Sequence, residues 1–263
     1  MLYVLIFAIA ILASGVGAIC GVGGGIIMKP VLDTLGLFTV PTVNFLSGCT
    51  VLAMSLYSVV TGRKDKDAAV SMKVTLPLAI GAVVGGLAGR NLFSVMIQYT
   101  AQARVGLVQA IVLIILTAAT LLYTIWKEKI HTHHVENRAA CVVIGLVLGL
   151  LSSFLGIGGG PFNLMALSWF FSMDTKTAAK NSLFIILCSQ IATLVNTLVS
   201  GLDAIFYPPV LILMIIGGIG GGVIGRAVNK KISSRKVDIL FILFMALVIL
   251  ISVRNVVRFL GMI

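Results

Sequence analysis

The chain has 263 residues, of which 59% are hydrophobic and only 10% are charged, and its mean hydropathy is +1.15. A soluble domain carries about 25% charged residues, so this composition excludes a water-soluble globule. The formal charge of +11 would suggest nucleic acid in a soluble protein, but here Lys and Arg lie in short segments between apolar stretches, where they set membrane orientation. The composition predicts an all-α protein that crosses a membrane many times.

Eight stretches of the chain carry no charged side chain, and most are near the roughly 20 residues that span a bilayer as a helix. In chain order they are Leu2 to Ala18, Thr42 to Val60, Val74 to Ala88, Val105 to Trp126, Ala139 to Leu155, Ser182 to Val199, Pro208 to Gly225 and Ile239 to Val253. The first lacks the basic leader of a signal peptide, so we expect it to remain in the mature fold.

The four cysteines of the chain stand singly within apolar sequence and show no paired metal-ligand spacing. They are Cys20, Cys49, Cys141 and Cys188. We interpret them as small buried apolar residues.

An internal repeat divides the chain into two similar units. Gly21 to Gly25 recurs as Gly156 to Gly160, and Gly85 to Arg90 recurs as Gly221 to Arg226, in the same order. We therefore predict a first transmembrane repeat at 1–126, a cytoplasmic connector at 127–138 and a second transmembrane repeat at 139–263.

The distribution of positive charge distinguishes two topologies. With eight simple crossings, 9 Lys and Arg would lie on one side of the membrane and 10 on the other. If each glycine cluster instead breaks its helix, and the short pieces 26–38 and 161–173 return the chain to its starting side, the split becomes 14 to 5. The positive-inside rule then favours two inverted repeats with both termini outside the cytoplasmic membrane.

The glycine clusters have two interpretations. Bare backbone is costly in hydrocarbon, so a break at membrane depth must be enclosed by protein or line a wet cavity. A helix that resumes after a break presents N–H groups and the positive end of its dipole, which favours an anion. The alternative is that the glycines only allow helices to pack closely. A dinucleotide-binding loop is not supported, because no strand context or downstream acid is visible.

The ordered set of motifs resembles the sulfite exporter TauE/SafE family of membrane anion permeases. The resemblance rests on Gly21 to Gly25 with Pro30, on Gly156 to Pro161, on Ala178 to Phe184 and on the endings at Arg90 and Arg226. It implies transport of sulfite, organosulfonates or related sulfur-containing anions across the cell membrane. It leaves open which anion moves, in which direction and with which coupling ion.

The candidate substrate-binding residues are the glycines of both breaks and the hydroxyl and amide side chains nearest to them, which can donate hydrogen bonds to an oxyanion. They are Gly23, Gly24, Gly25, Asn44, Ser47, Gly158, Gly159, Gly160, Asn181, Ser182, Ser189 and Thr193. Asn44 is echoed by Asn181 in the second unit, and Ser182, Ser189 and Thr193 share one helix face. The alternative role for these side chains is to bond packed helices to each other.

Several charged residues lie near these motifs. Lys29 and Lys180 flank the breaks and either draw anions in or snorkel to water. Arg90 and Arg226 are expected to end equivalent helices and to lie outside the site. His131, His133 and His134 are interpreted as part of a solvated connector rather than a metal site.

The sequence shows no catalytic constellation and no cofactor motif, so we expect a transporter whose partners are the lipid bilayer and a small anion, with no nucleic acid, metal or cofactor. The alternatives are a membrane-embedded enzyme and a channel or scaffold without a saturable site. None of the eight Asp and Glu residues lies within a charge-free stretch, and Asp33 is the acid nearest a glycine break. We therefore expect transport without a buried carboxylate relay.

Overall fold

The computed structural model describes residues 2–62, 72–199 and 207–263, and these form ten α-helices and no strand. The helices are α1 (Leu2–Cys20), α2 (Gly25–Leu35), α3 (Val40–Gly62), α4 (Met72–Tyr99), α5 (Gln102–Trp126), α6 (Arg138–Phe154), α7 (Pro161–Phe171), α8 (Thr175–Val199), α9 (Pro208–Lys231) and α10 (Ser234–Leu260). Seven of them are long and apolar enough to cross a membrane, and α6 is a shorter apolar helix of 17 residues. The predicted polytopic all-α fold is confirmed.

Each glycine cluster separates a long helix from a helix of 11 residues. Gly21, Gly23, Gly156 and Gly158 have φ angles between 65° and 74°, the left-handed region that other residues rarely adopt. Pro161 then opens α7, a position where its missing N–H costs no helical hydrogen bond. The structure thus has a helix break at both glycine clusters, with the short helices α2 and α7 following them.

The helices α3 and α8 cross at the centre in opposite directions. A Cβ built on Gly48 of α3 would lie 3.1 Å from Oε1 of Gln190 on α8. Further along α3, Met54 packs in one apolar cluster with Leu183, which comes earlier on α8. The start of α3 therefore lies near the end of α8.

The ends of the helices define two faces of the protein. At the face where α8 begins, Lys127 after α5 donates hydrogen bonds to Thr175 and to Asp238 near the start of α10. At the opposite face, where α3 begins, Gly106 near the start of α5 lies against Phe259 near the end of α10. We call these the Thr175 face and the Val40 face. The helices α5 and α10, like α3 and α8, run antiparallel.

Glycines bring long helices from the two halves of the chain into backbone contact. On α4, a Cβ at Gly81, Gly85 or Gly89 would overlap a backbone carbonyl oxygen of α6. On α9, a Cβ at Gly221 would overlap the carbonyl oxygen of Ile11 on α1. A side chain at these positions would force the helices apart, so each half of the chain is held to the other through glycine-lined contacts.

The outer surface of the helices is apolar, in contrast to that of a soluble protein. Ile115, Leu243 and Leu250 are 61%, 63% and 69% exposed. The short helix α2 lies inside instead, and its residues from Gly25 to Pro30 are all buried. The long helices therefore present apolar side chains to lipid and enclose the glycine breaks.

Two neighbouring glycines of α9 provide a test of the backbone contact. We expect Gly221→Ala to lower the stability of the purified protein by about 1–3 kcal/mol, the usual cost of overpacking, because its methyl group would meet the backbone of α1. A Cβ at Gly220 meets no atom within 4 Å in the part of the chain that the structure describes, so Gly220→Ala is the matched control and should be neutral or slightly stabilising. Thermal unfolding in detergent measures both, and equal melting temperatures would contradict the packing.

Candidate functional site

The two glycine segments lie against each other between α3 and α8. A Cβ built on Gly25 would overlap the carbonyl oxygen of Ile157 and would lie 2.8 Å from Oγ of Ser47. Val51 of α3 lies beside both segments, with Cγ1 at 3.4 Å from a Cβ built on Gly23 and 2.9 Å from one on Gly158. Both helix breaks therefore meet at one place in the interior.

The backbone within each break is hydrogen-bonded back to the helix before it. The N–H of Val22 donates to the carbonyl oxygen of Gly17 at 3.0 Å, and the N–H of Ile157 donates to that of Ser152 at 3.3 Å. These bonds satisfy backbone groups that would be costly in an apolar interior. The two breaks therefore have a fixed shape rather than being loose ends of helices.

A cavity of about 360 Å³ opens at the Thr175 face, and one of its wall residues packs against the first glycine segment. Ala179, in its wall, lies directly against Gly21. Its lining also includes four cationic side chains and one carboxylate, which are Lys176, Lys180, Arg226, Lys230 and Asp174. This excess of positive charge suits a small anion.

Asp174 is the acidic member of the lining and also caps α8. Its Oδ2 accepts hydrogen bonds from the N–H groups of Lys176 at 3.1 Å and Thr177 at 3.3 Å. Partial burial raises the pKa of Asp174, but the hydrogen bonds from Thr177 and Lys176 outweigh it and hold the pKa below its usual value. The carboxylate is therefore charged at neutral pH and partly offsets the cations around it.

Arg226 and Asn229 join α9 to the helices on either side of the cavity. Arg226 donates a hydrogen bond to the carbonyl oxygen of Thr61 on α3, and Asn229 donates one to that of Ile19 on α1. These contacts place the guanidinium in the cavity wall, where it can bind an anion.

A second, much smaller cavity of about 30 Å³ lies towards the Val40 face. It is lined by Asn44, Phe45, Gly48, Arg90, Ser153, Gly156, Gly158, Gln190, Thr193, Leu194 and Thr197. The guanidinium of Arg90 lies 5.4 Å from the ring centre of Phe93, and the residue is 9% exposed. The amide group of Asn44 is buried and makes no hydrogen bond to any residue that the structure describes. An unsatisfied amide is costly, so this cavity has the character of a ligand site.

The structure brings part of the predicted site together. Asn44, Gly158 and Thr193 all line the smaller cavity. Thr193 shares a hydrogen bond of 3.1 Å with Ser153, whose side chain also faces this cavity.

The remaining predicted glycines pack against protein. Gly24 lies on the backbone of Ser14, Gly159 lies against Ile186, and Gly160 lies against the ring of Phe162. Gly23 and Gly25, described above, lie where the two segments meet.

Two of the predicted site residues on α8, Asn181 and Ser189, hold α8 to α4. Asn181 accepts a hydrogen bond from Thr75, and Ser189 donates one to the carbonyl oxygen of Ala82 at 3.1 Å. Ser182 is buried, and its hydroxyl has no hydrogen-bond partner among the described residues. For Asn181 and Ser189 the structure shows the interhelical role that the sequence left open.

Two arginines in the cavity walls were placed outside the site by the sequence analysis, on an incorrect premise. Arg90 and Arg226 do not end their helices, because α4 continues to Tyr99 and α9 to Lys231. Arg90 lies four residues after Gly86, which packs against Ser189 and Thr193 of α8. Residues four apart share a helix face, so Arg90 lies on the face of α4 that contacts α8. The sequence alone does not show this contact.

The predicted equivalence of Asn44 and Asn181 is shifted in the structure. Gly156 packs against Asn44, whereas the corresponding glycine, Gly21, packs against Ala179. The residue in the place of Asn44 is therefore Ala179, two positions before Asn181.

Lys29 and Asp33 form a buried ion pair of 3.1 Å within the short helix α2. The end of α2 is held by Asn255 of α10, which donates to the carbonyl oxygen of Pro30 at 2.8 Å and accepts from Thr34 at 2.8 Å. Lys29 thus has a carboxylate partner beside the break, and the pair carries no net charge.

The connector after α5 packs on the end of α7. The N–H groups of His133 and Val135 donate to the carbonyl oxygens of Trp169 at 2.7 Å and Phe170 at 2.9 Å. The side chains of the three histidines are exposed. The part of the chain that the structure describes holds no group of three or more His, Cys, Asp and Glu placed to bind a metal.

The long apolar helices and the internal polar cavities beside two helix breaks define a multi-pass helical membrane protein of the transporter class. Residues 6–252 match the profile of the family described as "Sulfite exporter TauE/SafE". The match covers nearly the whole chain, so the protein belongs to this family of membrane transporters. The enzyme alternative is set aside, because the family is one of transporters.

A curated relative agrees with this assignment. The chain is 25% identical over 256 residues to the "Probable membrane transporter protein YunE" of Bacillus subtilis (strain 168), over 90% of this chain and 92% of the relative. No solved structure matches the chain.

The charge of Asp174 provides a test of the larger cavity. We expect Asp174→Asn to lower the apparent Kd for a test anion such as sulfate by about threefold, because it removes a nearby negative charge while Asn still caps α8. The shift should shrink at high ionic strength. Anion-dependent thermal stabilisation measures it, with Asp174→Ala, which loses the cap, as the comparison. An unchanged Kd for the Asn variant would remove Asp174 from the anion's surroundings.

Proposed function

We propose that the protein exports small sulfur-containing oxyanions or organosulfonates, such as sulfite, from the cytoplasm. The anion enters the cavity at the Thr175 face and passes the point where the glycine segments meet. The residues proposed to contact it are the cationic lining of that cavity and the residues named from the sequence that lie where the glycine segments meet or line the smaller cavity, which are Gly23, Gly25, Asn44, Ser47, Gly158 and Thr193. The family description supports the substrate class, and the name of the Bacillus subtilis relative specifies no substrate.

The observation that carries this proposal is a cavity with several cationic side chains whose wall packs against the first helix break. Lys180 lies in the cavity wall one residue after Ala179, which touches Gly21. Cations at a cavity mouth raise the local concentration of anions, and a polar interior lets them shed part of their water. A basic cavity beside a break in a membrane helix therefore favours an anion transporter over a structural scaffold.

The direction of export rests on the proposed topology of inverted repeats. The antiparallel courses of α3 with α8 and of α5 with α10 support inversion, since equivalent helices of inverted repeats run in opposite directions. The positive-inside rule then puts the Thr175 face in the cytoplasm and both termini outside. A negative cell interior favours anion exit by about 2.3 kcal/mol per charge at 100 mV.

Flux into liposomes with matched lysine variants tests the proposed path. We expect Lys180→Gln to reduce sulfite flux by about tenfold or more, the effect of losing one charge-assisted hydrogen bond. Lys231 is exposed at the end of α9 and is absent from the cavity lining, so Lys231→Gln is the control and should transport normally. Equal flux by both variants would place the path elsewhere, and absence of sulfite, sulfate and sulfonate flux in the wild type would refute the substrate class.

Energy coupling gives a separate test, because Asp33 is the buried acid nearest a glycine break among the described residues. We expect flux to follow an imposed membrane potential without a pH gradient. A double variant, Lys29→Gln with Asp33→Asn, removes the acid without stranding a buried lysine charge. Potential-driven flux should persist in this variant. Loss of that flux in a normally folded double variant would show that Asp33 takes part in coupling.

A further inference from the structure

The two cavities are built from corresponding residues of the two halves. Four pairs of residues have one member in the wall of the larger cavity and the other in the wall of the smaller cavity, and the two members are separated by a nearly constant distance along the chain. With the residue of the larger cavity given first, the pairs are Ala18 and Ser153, Ser58 and Thr193, Gly62 and Thr197, and Arg226 and Arg90. The cavities therefore occupy equivalent places at opposite faces of one protein.

The equivalent cavities differ greatly in size in this conformation. The one at the Thr175 face has a volume of about 360 Å³, and the one towards the Val40 face about 30 Å³. A single water needs about 10–15 Å³ on this measure, so the smaller cavity is too tight for a hydrated anion. The cavity at the Thr175 face is wide in this conformation, and its counterpart is narrow.

The small volume of the cavity towards the Val40 face can be traced to the close approach of α3 and α8. Gly48 and Gln190, both in the wall of the smaller cavity, approach so closely that a Cβ at Gly48 would lie 3.1 Å from Oε1 of Gln190 and 3.9 Å from Cδ2 of Leu194. Gly62 lines the larger cavity, and a Cβ built there meets none of the described residues within 4 Å. The absence of a side chain at Gly48 allows the Val40 face to close.

Apolar side chains separate the two cavities. Val51 and Ile186 are 0% and 1% exposed and lie against the glycine segments, with Cδ1 of Ile186 at 3.7 Å from a Cβ built on Gly23. A path between the faces must therefore pass a closed centre, which distinguishes this arrangement from an open channel.

From these observations, we infer that the small cavity around Arg90 and Asn44 is a second anion-binding site, which opens to the Val40 face when the cavity at the Thr175 face closes. Arg90 there contacts the anion as Arg226 does at the Thr175 face. The unsatisfied amide of Asn44 and the buried Arg90 supply the polar contacts. This inference rests on the proposed anion transport and adds a second site and an alternation between the two.

Cysteine accessibility tests the alternation at the corresponding positions Ser58 and Thr193. Each is replaced by Cys in a variant lacking the four native cysteines, and the rate of reaction with a sulfonate-bearing methanethiosulfonate reagent is measured. Ser58→Cys should react about tenfold faster or more, because the cavity that it lines, of about 360 Å³, can admit the reagent and that of about 30 Å³ cannot. Adding Gly48→Leu as a wedge should speed the reaction of Thr193→Cys and slow that of Ser58→Cys, whereas the control Gly62→Leu should leave Thr193→Cys unchanged.

The same assay tests Arg90 as an anion contact. The rate of the anionic reagent is divided by that of a neutral reagent of similar size, which reports local charge rather than access. In the protein with Gly48→Leu, Arg90→Gln should lower this ratio severalfold at Thr193→Cys and leave it unchanged at Ser58→Cys. Arg226→Gln should lower the ratio at Ser58→Cys and leave it unchanged at Thr193→Cys. Arg90→Lys should restore the ratio if the role is electrostatic rather than structural.

The outcomes separate this inference from the proposed function. If Gly48→Leu does not change the reaction rates at Ser58→Cys and Thr193→Cys in opposite directions, the alternation is wrong. If Arg90→Gln changes the ratio of reagent rates equally at both positions, the second site is wrong. Neither measurement requires a transported substrate, because both follow the reaction of the thiol reagent itself. Absence of anion flux with reciprocal reactivity would instead refute the proposed function alone.

Discussion

The arrangement of this protein depends on the cost of leaving backbone polar groups bare within a membrane. Two helices end at glycine clusters well inside the apolar region of the chain, and each end exposes carbonyl and N–H groups. The breaks are tolerable because their backbones bond to the preceding helices, as Val22 does to Gly17, and because α3 and α8 enclose them. Placing both breaks at one enclosed point concentrates the polar backbone of the interior there.

Enclosing the breaks requires the two halves of the chain to interlock. The contacts between α1 and α9 and between α4 and α6 each join one half to the other, and both run along glycines. In lipid there is no hydrophobic drive for helices to associate, so close backbone contact and the dispersion energy it provides must hold them together. Neither half could enclose its own break alone, because the walls of each cavity come from both halves.

The sequence predicted where the helices and their breaks lie better than it predicted which helices contact each other. Charge-free stretches marked the long helices, and the glycine clusters marked the breaks, because bilayer thickness and left-handed φ angles act on local sequence. Lateral pairing is not encoded locally, so nothing in the sequence showed that Ser189 faces α4. The prediction that α4 ends at Arg90 was wrong for the same reason. An arginine is tolerated within a membrane helix only where neighbouring helices form a polar cavity around it, and the sequence does not show those neighbours.

The charge of the interior also differs between the faces, and this bears on how an anion leaves its site. The larger cavity has several cations, whereas the smaller has Arg90 as the cation in its wall, with Phe45 lying where a symmetric arrangement would place Lys180. Strong attraction favours capture at low concentration, but release requires weaker binding at the exit. With the proposed direction of export, a site with fewer cations at the Val40 face suits release, and the asymmetry of charge would give the two equivalent cavities different tasks. The buried pair of Lys29 and Asp33 adds no net charge to this gradient, so the gradient is set by the residues of the cavity walls.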